Sequence, residues 1–224
     1  MSTNITNTKK VTLLGMLAAI AYAVIFVCHF LIPPVAGFLT LDVKDTIIAI
    51  AGFIFGPLSA ALVGVVVAAV EMVTISATGP IGLIMNILSS CCFACVAAFL
   101  YKRNHTLKGA ITGLVVGCLS ATAVMLLWNF LITPIYMGVP RATVAAMLVP
   151  VFLPFNLGKY ILNAAITMLI YKPIVTALRK ANLLAPSSNA AVAVQRERHL
   201  GTILVSLVLL ITCILGFLAW QGVL

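Results

Sequence analysis

Four polar side chains share one face of a segment that is otherwise apolar enough to cross a membrane. Asn156, Lys159, Tyr160 and Asn163 follow the spacing i, i+3, i+4, i+7, which sets them in a row along a helix. Leu157, Ile161, Leu162 and Ile166 fill the other faces. Lipid cannot satisfy such a stripe, so it must point into the bundle or into a wet cavity. Lys159 offers three donors, and each amide offers donors and an acceptor. Other apolar segments carry further polar groups: Glu71 with Thr74 and Thr78 on one face, Asn86, and the pair Trp128 and Asn129. With the flat faces of Trp128 and Tyr160, this chemistry suits a planar heteroaromatic ligand bearing carbonyls. Competing structural readings stand beside it. The stripe could be a polar clasp between helices. Glu71 could pair with Lys159 or with threonine hydroxyls. Trp128 could be an interfacial anchor, and Asp42 and Asp45 could be helix-start residues.

The elements that must position these groups follow from composition. The chain has 224 residues, of which 63% are hydrophobic and 8% charged. Soluble domains carry roughly 25% charged residues, so this is an all-α integral membrane protein in a bilayer. The net charge of +9 comes from basic residues scattered among short connections, which argues against a nucleic-acid partner. At about 20 helical residues per crossing, spans are expected near 11–32, 44–56, 58–78, 82–101, 108–131, 151–171 and 201–221. The apolar run after "MSTNITNTKK" is about 20 residues long and lacks a small-residue cleavage site, which points to a retained span rather than a cleaved signal. "TPIYMGVPRATVAAMLVP" reads as a broken segment with a short helix near 141–149. The expected organisation is a transmembrane bundle over 1–180, a cytoplasmic linker over 181–200, and an additional C-terminal helix over 201–224.

Positive charge sets the orientation. With the N-terminus in the cytoplasm, Lys9, Lys10, Lys102, Arg103, Lys108, Lys172, Arg179, Lys180, Arg196 and Arg198 all fall inside, and only Lys44 and Arg141 fall outside. In that frame Asn156, Lys159, Trp128, Asn129, Asn86 and Glu71 all lie in the outer half of the membrane, and the inner half is nearly bare. A conduction path needs polar groups throughout. This distribution describes a cavity open to the outside and closed below.

Several patterns carry less. The cysteines, including the run "SCCFAC", lie inside apolar spans and read as small packing side chains, with no metal site and no disulfide framework. Small residues recur every four positions at Gly15, Ala19 and Ala23, at Ala60, Gly64 and Ala68, and at Gly109, Gly113, Gly117 and Ala121. Such stripes let helix backbones approach closely, and the first is the best candidate for an external docking face. No G-x-x-x-x-G-K-[ST] loop, H-E-x-x-H or nucleophile elbow occurs, so no ATP hydrolysis or hydrolase chemistry is expected.

Over residues 10–175 the chain resembles the substrate-binding S components of energy-coupling-factor (ECF) vitamin transporters, nearest the riboflavin-specific branch. The resemblance rests on "LDVKDTIIAIAGFIFGP", "GLIMNILSS", "WNFLITPIYMG" and "VPVFLPFNLGKYILNAAIT". It implies a six-helix bundle in a bacterial plasma membrane, with no cofactor, that captures riboflavin from outside. The bundle then docks on a membrane scaffold subunit (the T component) carrying two ATP-binding subunits. It also implies that Asn129, Asn156 and Lys159 contact the flavin ring, that the loop 33–42 forms a lid, and that Gly15, Ala19 and Ala23 dock on the scaffold. The seventh span departs from the six-helix pattern. An S component for another vitamin, and an intramembrane enzyme or assembly factor without a small ligand, are the alternatives.

Overall fold

A computed structural model describes residues 7–35, 37, 39–180 and 195–220. Helix α1 (Asn7–Leu31) is followed by α2 (Lys44–Phe55) and α3 (Pro57–Thr74). Next, α4 (Gly79–Ser90) runs through a π turn, Cys91–Cys95, into α5 (Val96–Arg103). Then come α6 (Leu107–Met137) and α7 (Arg141–Met147). A second π turn, Leu148–Phe152, joins α7 to α8 (Leu153–Lys180), and α9 (Gln195–Trp220) completes the described chain. Among the described residues, five stretches are long and apolar enough to cross a membrane: Asn7–Leu31, Pro57–Thr74, Gly79–Arg103, Leu107–Met137 and Arg141–Leu178. Within α9, Ile203–Phe217 is a shorter apolar helix. The chain is therefore a multi-pass membrane protein, as its composition demands.

At 12 residues, α2 is only about 18 Å long, too short to cross a hydrocarbon core of about 30 Å unaided. Every residue from Lys44 to Phe53 is buried. A helix buried on every side belongs to the core of the bundle, and α1, α3 and α8 pack around this one. The turn from α2 into α3 depends on Gly56 at φ 94°, a conformation that disfavours a side chain, followed by Pro57 at the first helical position. Short connections force neighbouring helices to run antiparallel. The connections 32–43, 75–78 and 138–140 therefore gather at one end of the bundle, called the upper end below.

The broken segment expected over 133–150 proves nearly continuous. Helix α6 passes through Thr133 and Pro134 to Met137 and stops at Gly138, whose left-handed φ of 66° ends it. The short helix forms at 141–147 as expected, but it continues into α8 through the π turn that accommodates Pro150. The other π turn spans the cysteine run, Cys91–Cys95. Much of the expected linker, 181–194, lies outside the described residues, and α9 begins at Gln195, before the apolar run.

The small-residue stripes separate by environment. A Cβ added at Gly113 or Gly117 would run into the backbone of Ala97 or Phe93, so α6 lies in backbone contact with α5 and the π turn. Ala60 and Ala68 are buried. Gly15, Ala19 and Ala23 are exposed, while α1 turns Leu13, Leu17, Ala21 and Ile25 inward.

Candidate functional site

The connection ahead of α2 and the upper half of α8 build the centre of the site. Lys159 lies on α8 and is buried, 7% exposed. Its Nζ donates to Asp42 Oδ2 at 2.7 Å, and Asp42 is 1% exposed. The partner is thus not Glu71 but an acid from the upper connection, 117 residues away in sequence. Asp42 also accepts from the Lys44 backbone N–H at 3.2 Å. Although burial alone would raise it, the Asp42 carboxyl is held below the usual carboxylate range by the ammoniums of Lys159 and Lys44.

A second buried ion pair lies across α2. Lys44 Nζ donates to Glu71 Oε2 at 2.5 Å, and Asn86 Nδ2 donates to Glu71 Oε1 at 2.8 Å. Glu71 and Asn86, from α3 and α4, are therefore joined as a pair, with a lysine as their third member. Asp45 accepts from Ser90 Oγ through Oδ1, and its Oδ2 has no hydrogen-bond partner among the described residues. The chain has four acidic residues. Asp42, Asp45 and Glu71 all meet here.

Asn163 sits beneath the Lys159 pair with no exposed surface. Its Nδ2 donates to the carbonyls of Asp42 and Lys159, both at 2.9 Å, and its Oδ1 accepts from the Thr46 N–H at 2.8 Å. This amide is fully engaged in clasping α8 to the start of α2. Tyr160 turns the other way. It stacks on Phe93 with ring centroids 5.4 Å apart, and its hydroxyl meets Ser89 Oγ at 2.7 Å. The row read from helical spacing therefore divides: Asn156 and Lys159 keep polar groups near the upper end, whereas Asn163 and Tyr160 are tied into the core.

Asn129 and Asn156 are both buried, and each donates to a carbonyl one turn earlier, Met125 on α6 at 2.8 Å and Phe152 at the end of the π turn at 2.7 Å. Asn129 Oδ1 accepts from Thr133 at 2.9 Å. Trp128 lines a small gap with Thr78, Met85 and Tyr136, wedged between α4 and α6. It is half-buried against the bundle core rather than projecting freely.

Two cavities flank α8. The larger, about 1170 Å³, lies between the lower half of α6, α8 and α9, and no residue of the ion-pair network lines it. The smaller, about 240 Å³, is lined by Lys159, Leu41, Gly158 and residues of α9. Among the described residues no cluster of three or more His, Cys, Asp or Glu is arranged to hold a metal ion.

Sequence reasoning missed Lys44, which it placed among exposed connection charges, and Asp42 as the partner of Lys159. The signal was present in "LDVKDT": acid, base and acid within four positions at the head of an all-apolar helix. Charges at the head of a helix that is buried all round must themselves be buried, and buried charges need partners.

Comparison with known proteins converges on one family. The family model described as "ECF transporter, substrate-specific component" matches residues 9–171. A riboflavin transporter of Staphylococcus aureus, RibU, is 30% identical over 186 residues, covering 79% of this chain and 96% of the relative. A riboflavin transporter of Bacillus subtilis, FmnP, is 30% identical over 191 residues, covering 78% of this chain and 98% of the relative. A solved structure, reported as the S component of a bacterial ECF transporter, superposes with a TM-score of 0.66 at 28% identity, over 77% of this chain and 99% of that one. Helix α9 lies beyond the family match.

Proposed function

The chain belongs to the substrate-specific components of ECF transporters, and from that premise we propose that it is the riboflavin-binding subunit of such an importer. It is a transport component and not an enzyme. The observation that carries the reading is the buried Lys159–Asp42 pair, which ties the upper connection to α8 in a chain whose relatives are riboflavin transporters. A buried ammonium facing the upper connection is suited to ligand capture. Asp42 engages it through one hydrogen bond, and an ammonium has three donors. A ligand carbonyl takes a free donor or displaces the carboxylate. Asn156 and Asn129 add amide groups that pair with the edge of a flavin ring. In this reading the connection ahead of α2 covers the loaded site.

The bias of Lys and Arg toward one side supports an orientation with the N-terminus in the cytoplasm and the upper end outside, in which riboflavin enters from outside. Uphill uptake requires the scaffold subunit and two ATP-binding subunits. The exposed face of Gly15, Ala19 and Ala23 on α1 is suited to dock on the scaffold, since small residues let two helices approach closely. Asn86 donates to Glu71 and Glu71 pairs with Lys44, and together they hold the head of α2 in place. Tyr160 and Asn163 position α8.

Titrating the purified chain with riboflavin and following quenching of flavin fluorescence tests the reading. Saturable quenching at one ligand per chain is expected. Absence of saturable quenching, with saturable binding of another vitamin, would overturn the substrate assignment.

A further inference from the structure

Two glycines face an open slot beside Lys159, and they differ from the glycines that pack helices together. Gly158 on α8 and Gly216 on α9 line the 240 Å³ cavity, with Lys159 and Leu41 on one side and Cys213 and Phe217 on the other. A Cβ added at either glycine would meet nothing within 4 Å. At Gly113 and Gly117 an added Cβ would strike backbone. Those two glycines therefore allow contact, whereas Gly158 and Gly216 leave space. Gly216 is exposed, and the two glycines leave the gap between α8 and α9 unfilled, so another occupant can enter it. Phe217 also packs against the cluster of Leu39, Val144, Phe152 and Phe155, which joins α9 to the upper connection and the α7–α8 turn.

Size decides what could fit. A cavity of about 150 Å³ is enough to hold benzene, whereas a whole drug-sized ligand needs roughly 300–1,000 Å³. The slot admits one substituted ring edge but not a complete vitamin. Its walls are apolar apart from Lys159.

We propose that α9, which lies beyond the family match, adds a wall to the ligand site, and that the slot between Gly158 and Gly216 receives the methyl-bearing edge of the flavin ring. The inference rests on the riboflavin reading above. The unaltered chain, Gly216→Leu and Gly158→Ala are each titrated with riboflavin and with an analogue lacking the two ring methyl groups, and their thermal unfolding is followed without ligand. Both variants are expected to unfold at or above the wild-type temperature, because they replace glycine in a helix without a clash. Gly216→Leu is expected to weaken riboflavin binding on the order of tenfold, and to weaken the demethylated analogue much less, as when a pocket loses room for methyl groups. Gly158→Ala should show the same pattern with a smaller loss. Equal weakening of both ligands, or riboflavin binding unchanged in both variants, would overturn the inference while leaving the riboflavin assignment intact. No saturable binding by the unaltered chain would overturn both.

Discussion

Replacing Lys159 by methionine separates what the ammonium does for the ligand from what it does for the fold. The substitution removes one partner of a buried ion pair and leaves Asp42, 1% exposed, without its ammonium. Breaking a buried pair in this way costs about 3–5 kcal/mol, chiefly through the uncompensated charge. The ligand loses a charged hydrogen bond worth about 1.5–3 kcal/mol, which is about ten- to a hundred-fold in affinity. Lys159→Met should therefore lower both the unfolding temperature and riboflavin affinity. Removing both charges distinguishes the two losses, because replacing a whole buried pair by neutral groups of similar size is often neutral or stabilising. The double variant Lys159→Met, Asp42→Asn should recover most of the lost stability and still bind riboflavin ten- to a hundred-fold more weakly than wild type. Asp42→Asn alone should lower stability yet keep most of the affinity, since it leaves the ammonium available to the ligand. Thermal unfolding in detergent and fluorescence titration of the four proteins complete the cycle. A Lys159→Met protein that binds riboflavin like wild type would refute the reasoning and make the pair a structural clasp. A double variant as unstable as the single one would refute the electrostatic part.

Lys44→Met should destabilise the bundle by about 3–5 kcal/mol, because Glu71 loses its ammonium in a buried setting, and should change riboflavin affinity less than Lys159→Met does; chemical unfolding and titration check both. Ala19→Leu projects from an exposed position on α1, so it should leave riboflavin binding intact and abolish uptake in cells, measured with radiolabelled vitamin. Gly113→Leu should prevent folding, since even a Cβ there meets the backbone of Ala97; recovery of monodisperse protein after purification reports it.

Much of this protein is legible in the sequence because a bilayer constrains a chain more strictly than water does. Nothing but a helix satisfies its own backbone there without a closed barrel. The apolar runs therefore marked the spans, and the polar residues interrupting them, Glu71, Asn86, Asn129, Asn156 and Lys159, stood out as exceptions that must face inward. The stripe at Gly109, Gly113 and Gly117 was likewise readable as a packing face, because close approach needs small residues at helical spacing. Pairing was not legible in the same way. Helical period tells which residues share a face but not what the face meets, so it grouped Asn163 and Tyr160 with Lys159. Packing committed the first to Thr46 and Asp42, and the second to Phe93 and Ser89. Charge counting treated Lys44 as a topology signal on a connection. Only the tertiary structure placed it inside, because α2 is surrounded on all sides and carries its first residue into the core. The choice of Asp42 for Lys159 and Glu71 for Lys44 depends on how deep α2 sits between α3 and α8. That depth is set by three-dimensional packing, which one-dimensional spacing cannot encode.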